Sequence, residues 1–530
     1  MQTDFMSKLR LKDAGGFAGV YKIFIGAITF AIVAILFLMS IYGTTHMGSD
    51  WREQVFLLKD SVFVNFVLLF LFAGLLFGLS KSEKVNLCIK RINDSEKLYK
   101  RVKYGAVTLA SLLALGFVLD NHIIPEQDQF FVMNAATNIN AGYYDDLKQG
   151  GYIAMYPNQV GLLLLELPIT KLFGIRSFVV FEIINVFAYA AILLNLTAIT
   201  DYFDFSNFRK LETLAISIVF VPLFFYTTFI YGNLLGLALS LAAYRLELKA
   251  VHSEGKAWGA MAGSAILIVL ASMVKNNYLI FLIALVIHAL VEIIRQKNIK
   301  IAVLPVLVAL LFVLQSATVN STIEKNIPGA DLHNGVSTFA FIAMGLQENS
   351  EKCDGWYNDY NRSSYVESGY DSALQGDTAK ADIKNSVTRL KNDKAEAVKF
   401  FYRKTTSQWN EPTFQSIWIN RVRQTSNERS ALSRAIISEK SEKVFSKCLE
   451  LFEMALLAGV LAFFVLAFRK KYFFDTLLLQ VTLIGGFLFH MFWEAKCQYT
   501  LPYFALLLPL AAAGFGEVAR MVRKGDKEYE

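Results

Sequence analysis

An all-helical protein that crosses a membrane many times is the fold class this sequence predicts, on three observations. Hydrophobic residues make up 55% of the 530 residues and charged residues 18%, against about 25% charge in an ordinary soluble chain. Apolar runs of about 20 residues recur along most of the length, each able to cross a hydrocarbon layer of about 30 Å at about 1.5 Å per residue. The 44 Phe and 23 Tyr stand against nine Pro, a balance that suits helices in lipid better than a loop-rich secreted fold. A soluble enzyme, a disordered chain and a collagen-like repeat are excluded. Four cysteines in so long a chain cannot build a disulfide framework. The net charge of +7 is a matter of topology, and no nucleic-acid partner is expected.

Taken in order, Lys8, Arg10 and Lys12 lead straight into a full-length apolar run with no small-residue cleavage site, so no removable signal peptide is expected. About 12 spans are predicted, at 23–43, 61–79, 104–119, 177–199, 211–229, 232–248, 259–275, 278–295, 299–318, 449–468, 473–492 and 501–520. A shorter apolar stretch at 159–174 contains Glu166, Pro168 and Lys171. The excess of Lys and Arg on cytoplasmic loops decides whether it crosses. Residues 81–103 carry eight Lys or Arg, and Arg245–Lys256, Arg295–Lys300, Arg469–Lys471 and Arg520–Lys527 are short and basic. All five share the cytoplasmic side with both termini only if 159–174 does not cross. That stretch is therefore expected to lie in, or dip into, the outer interface.

The chain then divides into four parts. Residues 1–103 form a two-span segment with a basic cytoplasmic loop, and 104–318 a membrane core whose large external loop is 120–176. Residues 319–446 form an external loop domain, and 447–530 a three-span segment with a cytoplasmic tail. The external domain is polar but holds Trp356, Tyr357, Trp409 and Trp418, which a disordered linker would lack. It is expected to fold as short helices packed on the membrane helices, with these aromatics as its small core or as stacking faces for sugars.

The loop 120–176 carries the chemistry. Asp120 to Phe131 places several acids just past a membrane helix, and Pro125 with these acids suits the start of a new helix, whose positive end favours a carboxylate. Phe131, Ala135, Ala136 and Ile139 recur at helical spacing beyond it. Asp128 and Glu126 either cap a surface helix or, for Asp128, take a proton from a sugar hydroxyl at the water–lipid boundary. Further on come Tyr156-Pro157-Asn158-Gln159, an apolar run, and Leu172-Phe173-Gly174 before Arg176 and the next span.

This order of membrane helix, acid-bearing loop, short helix, Pro step, apolar run ending in Leu-Phe-Gly, Arg and span resembles the GT-C glycosyltransferases. It is most similar to the branch of protein O-mannosyltransferases and lipid A aminoarabinose transferase. The resemblance covers residues 104–300 by motif and the rest by architecture. It implies that Asp128 is the catalytic base and that a polyprenyl-phosphate sugar is the donor. It also implies that the apolar run 159–174 stays at the outer interface. Two positions depart from the family: its Asp-Glu pair is Asp128-Gln129 here, and its His-Pro step is Tyr156-Pro157. The metal-using branch has a second acid in the next external turn, where this chain reads Tyr226 to Asn233 without a carboxylate. No metal and no cofactor are expected.

A donor phosphate calls for cations at outer helix ends, where charge-assisted bonds are strong. Lys275, Lys496 and Arg176 are the candidates, although a lysine at a helix end also serves simply by snorkelling. The family's charged, Tyr-containing motif falls on Trp493 to Tyr499. Glu126, Gln129, Tyr156, Asn158, Gln159, Tyr231, Asn233 and Tyr499 are the candidates for holding sugar or acceptor. His122, His333 and His490 share no ligand spacing. Of Cys353, Cys448 and Cys497, one pair could bridge if that side is oxidising. No phosphate-binding or dinucleotide glycine motif is present, which argues against a nucleotide-sugar enzyme.

The reading is an inverting, multi-pass cell-membrane transferase with an extracytoplasmic site. Its partners are a lipid-linked sugar donor, membrane lipids and an acceptor that is a cell-surface polysaccharide, teichoic acid, glycolipid or protein. The alternatives are a transporter or flippase of lipid-linked saccharides, which would place ionisable residues inside spans, and a scaffold binding a partner outside.

Overall fold

The structure is a computed structural model that describes residues 16–253, 257–425 and 428–527, with side chains to 522. Lys8, Arg10, Lys12 and Lys256, named above for topology, lie outside the described residues. Helix α1 (Phe17–Tyr42) leads into a hairpin of β1 (Gly43–Met47) and β2 (Val55–Lys59), antiparallel with Gly43 opposite Lys59 and Met47 opposite Val55. Then come α2 (Val62–Lys81), α3 (Glu83–Asn93) and α4 (Glu96–Asn121). The stretch 81–103 expected as a basic loop is therefore largely helical. Val85, Ile89 and Ile92 keep a helical period through the charges, and the Ser95 hydroxyl caps α4 by accepting from Leu98 N.

The large loop holds α5 (Asp128–Asn140), the single turn α6 (Tyr152–Met155) and α7 (Val160–Phe173). The membrane core continues with α8 (Ser177–Ile199), α9 (Asn207–Val219), the short α10 (Pro222–Phe225), α11 (Asn233–Val251), α12 (Trp258–Val274), α13 (Leu279–Gln296) and α14 (Val303–Asn326). Six helices too short or too polar to span follow: α15 (Thr338–Gly345), α16 (Tyr360–Glu367), α17 (Ser372–Asn392), α18 (Lys394–Trp409), α19 (Ser416–Val422) and α20 (Ala431–Ile436). The chain ends in α21 (Glu439–Ala467), α22 (Leu477–Phe492) and α23 (Leu501–Lys527).

Among the described residues nine helices are long and apolar enough to cross a membrane, or ten if α9 and Pro222–Thr228, bent by 56°, make one span. The expected twelve are met to that extent. Pro222 breaks the run predicted at 211–229 by opening a new helix at its first position. Helix α12 has only 17 residues, and α11 carries Arg245, Glu247 and Lys249 near its end. Helices α2 and α14 turn apolar side chains outward, Phe70 being 79% and Val306 64% exposed, as lipid-facing helices do. Helices α8, α11, α21, α22 and α23 are the more enclosed ones. Helix α8 packs on α4, α9 and α11, and α21 on α23.

Helix α7 has 14 residues, or about 21 Å, well short of a hydrocarbon layer of about 30 Å. Gly174, at φ 55°, ends it, and the corner leaves Leu172 75% and Ile175 89% exposed. Helix α5 packs along it, tied by the Asn140 amide, which donates to Leu167 O at 2.9 Å and Thr170 Oγ1 at 2.8 Å. At its other end α7 meets the last turn of α12 backbone to backbone: a Cβ on Gly161 would lie 2.0 Å from Met273 O. Such close approach needs a residue without a side chain. Gly161→Val is therefore expected to destabilise the protein by about 1–3 kcal/mol, read as a lower thermal midpoint in detergent. An unchanged midpoint would mean that α7 shifts freely.

The segment that carries α15 to α20 does not stand apart from the loop or from the α22–α23 junction. Ile124 N donates to Gln424 O at 2.9 Å, Asp331 N to Leu147 O at 2.9 Å, Val336 N to Met155 O at 2.9 Å, and Ala495 N to Gly355 O at 2.8 Å. Trp356, Trp409 and Trp418 are buried, but against the rest of the chain rather than in a core of their own segment. Trp356 packs with Val55, Ala495 and Cys497, Trp409 with Phe487, Tyr503 and Phe504, and the Trp418 indole donates to Asp50 O, while Tyr357 lines the cavity described below. Cys353 and Cys497 are buried and Cys448 is exposed, all as free thiols.

The charges do not all lie in loops and at helix ends. Glu166, Glu182, Glu247, His288 and Glu292 are buried within helices. The His288 imidazole is 2.8 Å from the Glu247 carboxylate, and Arg295 pairs with Glu292 at 2.8 Å. A single acid per span, masked by apolar neighbours, gives no periodic signal in sequence.

Candidate functional site

Where the loop 120–176, the hairpin, the α12–α13 junction and the α22–α23 junction meet, they enclose a cavity of about 570 Å³, within the usual range for ligand pockets. Asp128, Tyr152, Tyr156, Asn158 and Gln159 line it from the loop, and Lys275 and Asn276 from the α12–α13 junction. Glu494, Lys496 and Tyr499 line it from the α22–α23 junction, and Glu53 from the hairpin. A smaller recess shares Asp128, Glu53, Tyr231 and Lys496 and adds Glu126, Gln129 and Arg423.

Asp128 opens α5, where the unpaired N–H groups of the first turn favour a carboxylate. Tyr152 Oη donates to Asp128 Oδ1 at 2.9 Å, and burial, with Tyr231 and Asp128 beside it, raises the Tyr152 phenol well above its ordinary pKa and keeps it a donor. Gln127, just before, holds φ 52° and ψ −133°, a costly backbone for a residue with a Cβ and one that clusters at functional sites. Glu53 shares the feature at φ 53°.

Lys275 sits in the break between α12 and α13, one residue past the helix end at Val274. Its ammonium donates to Tyr231 O at 3.3 Å and lies 3.8 Å from the centre of the Tyr231 ring. Burial pulls its pKa down to about 7. Lys496 pairs with Glu53 at 3.3 Å, and Lys352 approaches the same carboxylate at 3.6 Å. Burial works against the Glu53 carboxylate, but Lys496 and Lys352 outweigh it and hold it below its ordinary value. Burial also works against the Lys496 ammonium, which Glu53 and Glu494 hold above its ordinary value. Burial raises Glu494 to about 7.

Of the residues named from sequence, Asp128, Lys275, Lys496, Tyr156, Asn158, Gln159, Tyr231 and Tyr499 share the cavity. The Gln159 amide donates to Tyr231 Oη at 2.5 Å. Four others are placed differently. Arg176 is exposed at the corner after α7 and does not line the cavity, because Gly174 turns the chain away before it. Asn233 is buried beneath it, its carbonyl accepting from Tyr278 Oη at 2.5 Å. Gln129 turns its Oε1 to Ile230 N, from which it accepts at 2.7 Å, so it anchors α5 and reaches only the smaller recess. Glu126 lines only the smaller recess.

Sequence reasoning passed over Glu53, Tyr152, Lys352 and Glu494. Glu53 had a signal in Gly48-Ser49-Asp50, a turn sequence between β-branched Thr44-Thr45 and the apolar Val55 to Leu58. Tyr152 stands four residues before Tyr156, a helical spacing. Glu494 lay inside the quoted Trp493–Tyr499 motif, and Lys352 had no signal. Among the described residues no group of three or more His, Cys, Asp or Glu is arranged to hold a metal.

The fold, with its apolar helices of span length, defines a helical, multi-pass integral membrane protein. The model of the family described as "Conserved hypothetical integral membrane protein" matches residues 20–517, and the chain belongs to that family. No curated protein and no solved structure matches it.

Proposed function

We propose that this chain is a GT-C-type membrane glycosyltransferase, inverting and metal-independent. It moves a sugar from a polyprenyl-phosphate donor to an acceptor hydroxyl on the outer face of the membrane, with 159–174 at the outer interface and both termini inside. One observation carries the reading: a single cavity sets the Tyr152-bound carboxylate of Asp128 among the lysines Lys275 and Lys496, at the junctions of apolar helices. In this scheme Asp128 takes the proton of the acceptor hydroxyl, and the freed oxygen attacks the anomeric carbon. The bond from that carbon to the phosphate oxygen breaks on the opposite face, and its electron pair leaves with polyprenyl phosphate. Lys275 is the chief phosphate ligand, since it contacts the Tyr231 carbonyl and ring, whereas Lys496 is already paired with Glu53.

The test is transfer by the purified full chain from synthetic polyprenyl-phosphate sugars. Release of polyprenyl phosphate with a glycosylated product is the expected result. A second reading, a transporter or flippase of lipid-linked saccharides, draws on the buried Glu247–His288 pair inside the helices. Proteoliposomes that move such a lipid between leaflets, and release no polyprenyl phosphate, would favour it over the transferase.

A further inference from the structure

The hairpin tip between β1 and β2 reaches the cavity and is fixed there from several sides. The Trp418 indole donates to Asp50 O at 3.0 Å, and the Arg421 guanidinium to Ser49 O at 2.7 Å and Gly48 O at 3.1 Å. Thr45 Oγ1 donates to Thr406 O at 2.9 Å, and Glu53 holds the two lysines. Arg52 is engaged by Asp50 at 2.6 Å. In the middle of this pinned segment Trp51 is 69% exposed and lines the cavity. A large aromatic held on a pinned turn at a pocket wall presents a flat apolar face to whatever enters the cavity.

The rest of the wall tells what that is. Asn158, Gln159, Asn276, Asn277 and Asn361 bring amides to the same cavity. Trp493, stacked on Phe341 at 4.9 Å and 9°, adds another aromatic. An indole face with its negative quadrupole suits the C–H face of a pyranose ring, and amides and carboxylates suit its hydroxyls. An acyl chain would leave those amides without partners, at a desolvation cost.

We propose that the hairpin tip is the acceptor subsite of the transferase and that Trp51 stacks on a sugar ring, so that the acceptor is a saccharide. This rests on the reading above for the word acceptor, but the binding itself is measured without turnover. The experiment is saturation-transfer NMR on the detergent-solubilised full chain with the tetrasaccharides of glucose, mannose and N-acetylglucosamine, with competition giving affinities. At least one is expected to bind, about tenfold more weakly to Trp51→Ala and nearly as well to Trp51→Phe, with thermal midpoints unchanged.

No signal from any of the three, or binding undiminished in Trp51→Ala, overturns the proposal. In the latter case Trp51 is an anchor in the interfacial lipid. A chain that binds sugars through Trp51 yet transfers nothing keeps this inference and loses the transferase. A chain that transfers with an acceptor KM indifferent to Trp51→Ala does the reverse.

Discussion

Asp128→Asn is expected to lower sugar transfer by about a thousandfold, the scale of a lost general base, while donor binding and expression stay near those of the native chain. The amide is isosteric and still accepts from the Tyr152 hydroxyl, so the geometry of the cavity survives. What it cannot do is take a proton. Loss of a negative charge at the first turn of α5 costs about 0.3–1 kcal/mol, too little to unfold a bundle this size. Transfer rates with saturating donor, together with donor affinity, separate the two effects. Full turnover in this variant would remove Asp128 from the chemistry and leave it as the helix cap that its position also allows.

Lys275→Met is expected to raise the donor KM by about 10- to 100-fold, since hydrogen bonds to charged groups are worth about 1.5–3 kcal/mol. The sign of the accompanying pH dependence follows from burial. With its pKa near 7, Lys275 is charged below that pH and neutral above it. An anionic donor prefers the charged form, so kcat/KM is expected to fall as pH rises through about 7, by up to about tenfold per unit. Glu494, also near 7, adds a negative charge over the same range and steepens the fall. Lys275→Met should flatten most of the profile and Glu494→Gln the remainder. A native profile level from pH 6 to 9 would take Lys275 out of the donor site.

The membrane character of the chain was legible because apolar runs of span length are a property of composition alone. Asp128, Lys275 and Lys496 were legible because they stand where apolar helices end, and a charge at such an edge is visible in one dimension. Gln129 and Asn233 misled because sequence does not say which way a polar side chain points. One turns its amide inward to Ile230 and the other lies beneath the cavity. Glu53 and Lys352 were hidden for a different reason. They are separated by almost 300 residues, and Lys352 joins Lys496 on the Glu53 carboxylate only once the chain has folded. The buried Glu247–His288 pair is likewise a contact between two spans, invisible until they pack.

The carboxylate of Glu53, shared between two ammonium groups, has a consequence for selectivity in the resting protein. Free phosphate or sulfate from the medium must compete with a tethered counterion whose effective concentration is in the millimolar range or above. An ordinary inorganic anion is a poor match for that rival. Under the proposed function, a donor anchored by its own isoprenoid chain would be confined to the bilayer beside the cavity and would compete on equal terms, so the protein would discriminate by where a phosphate lives as well as by what it is.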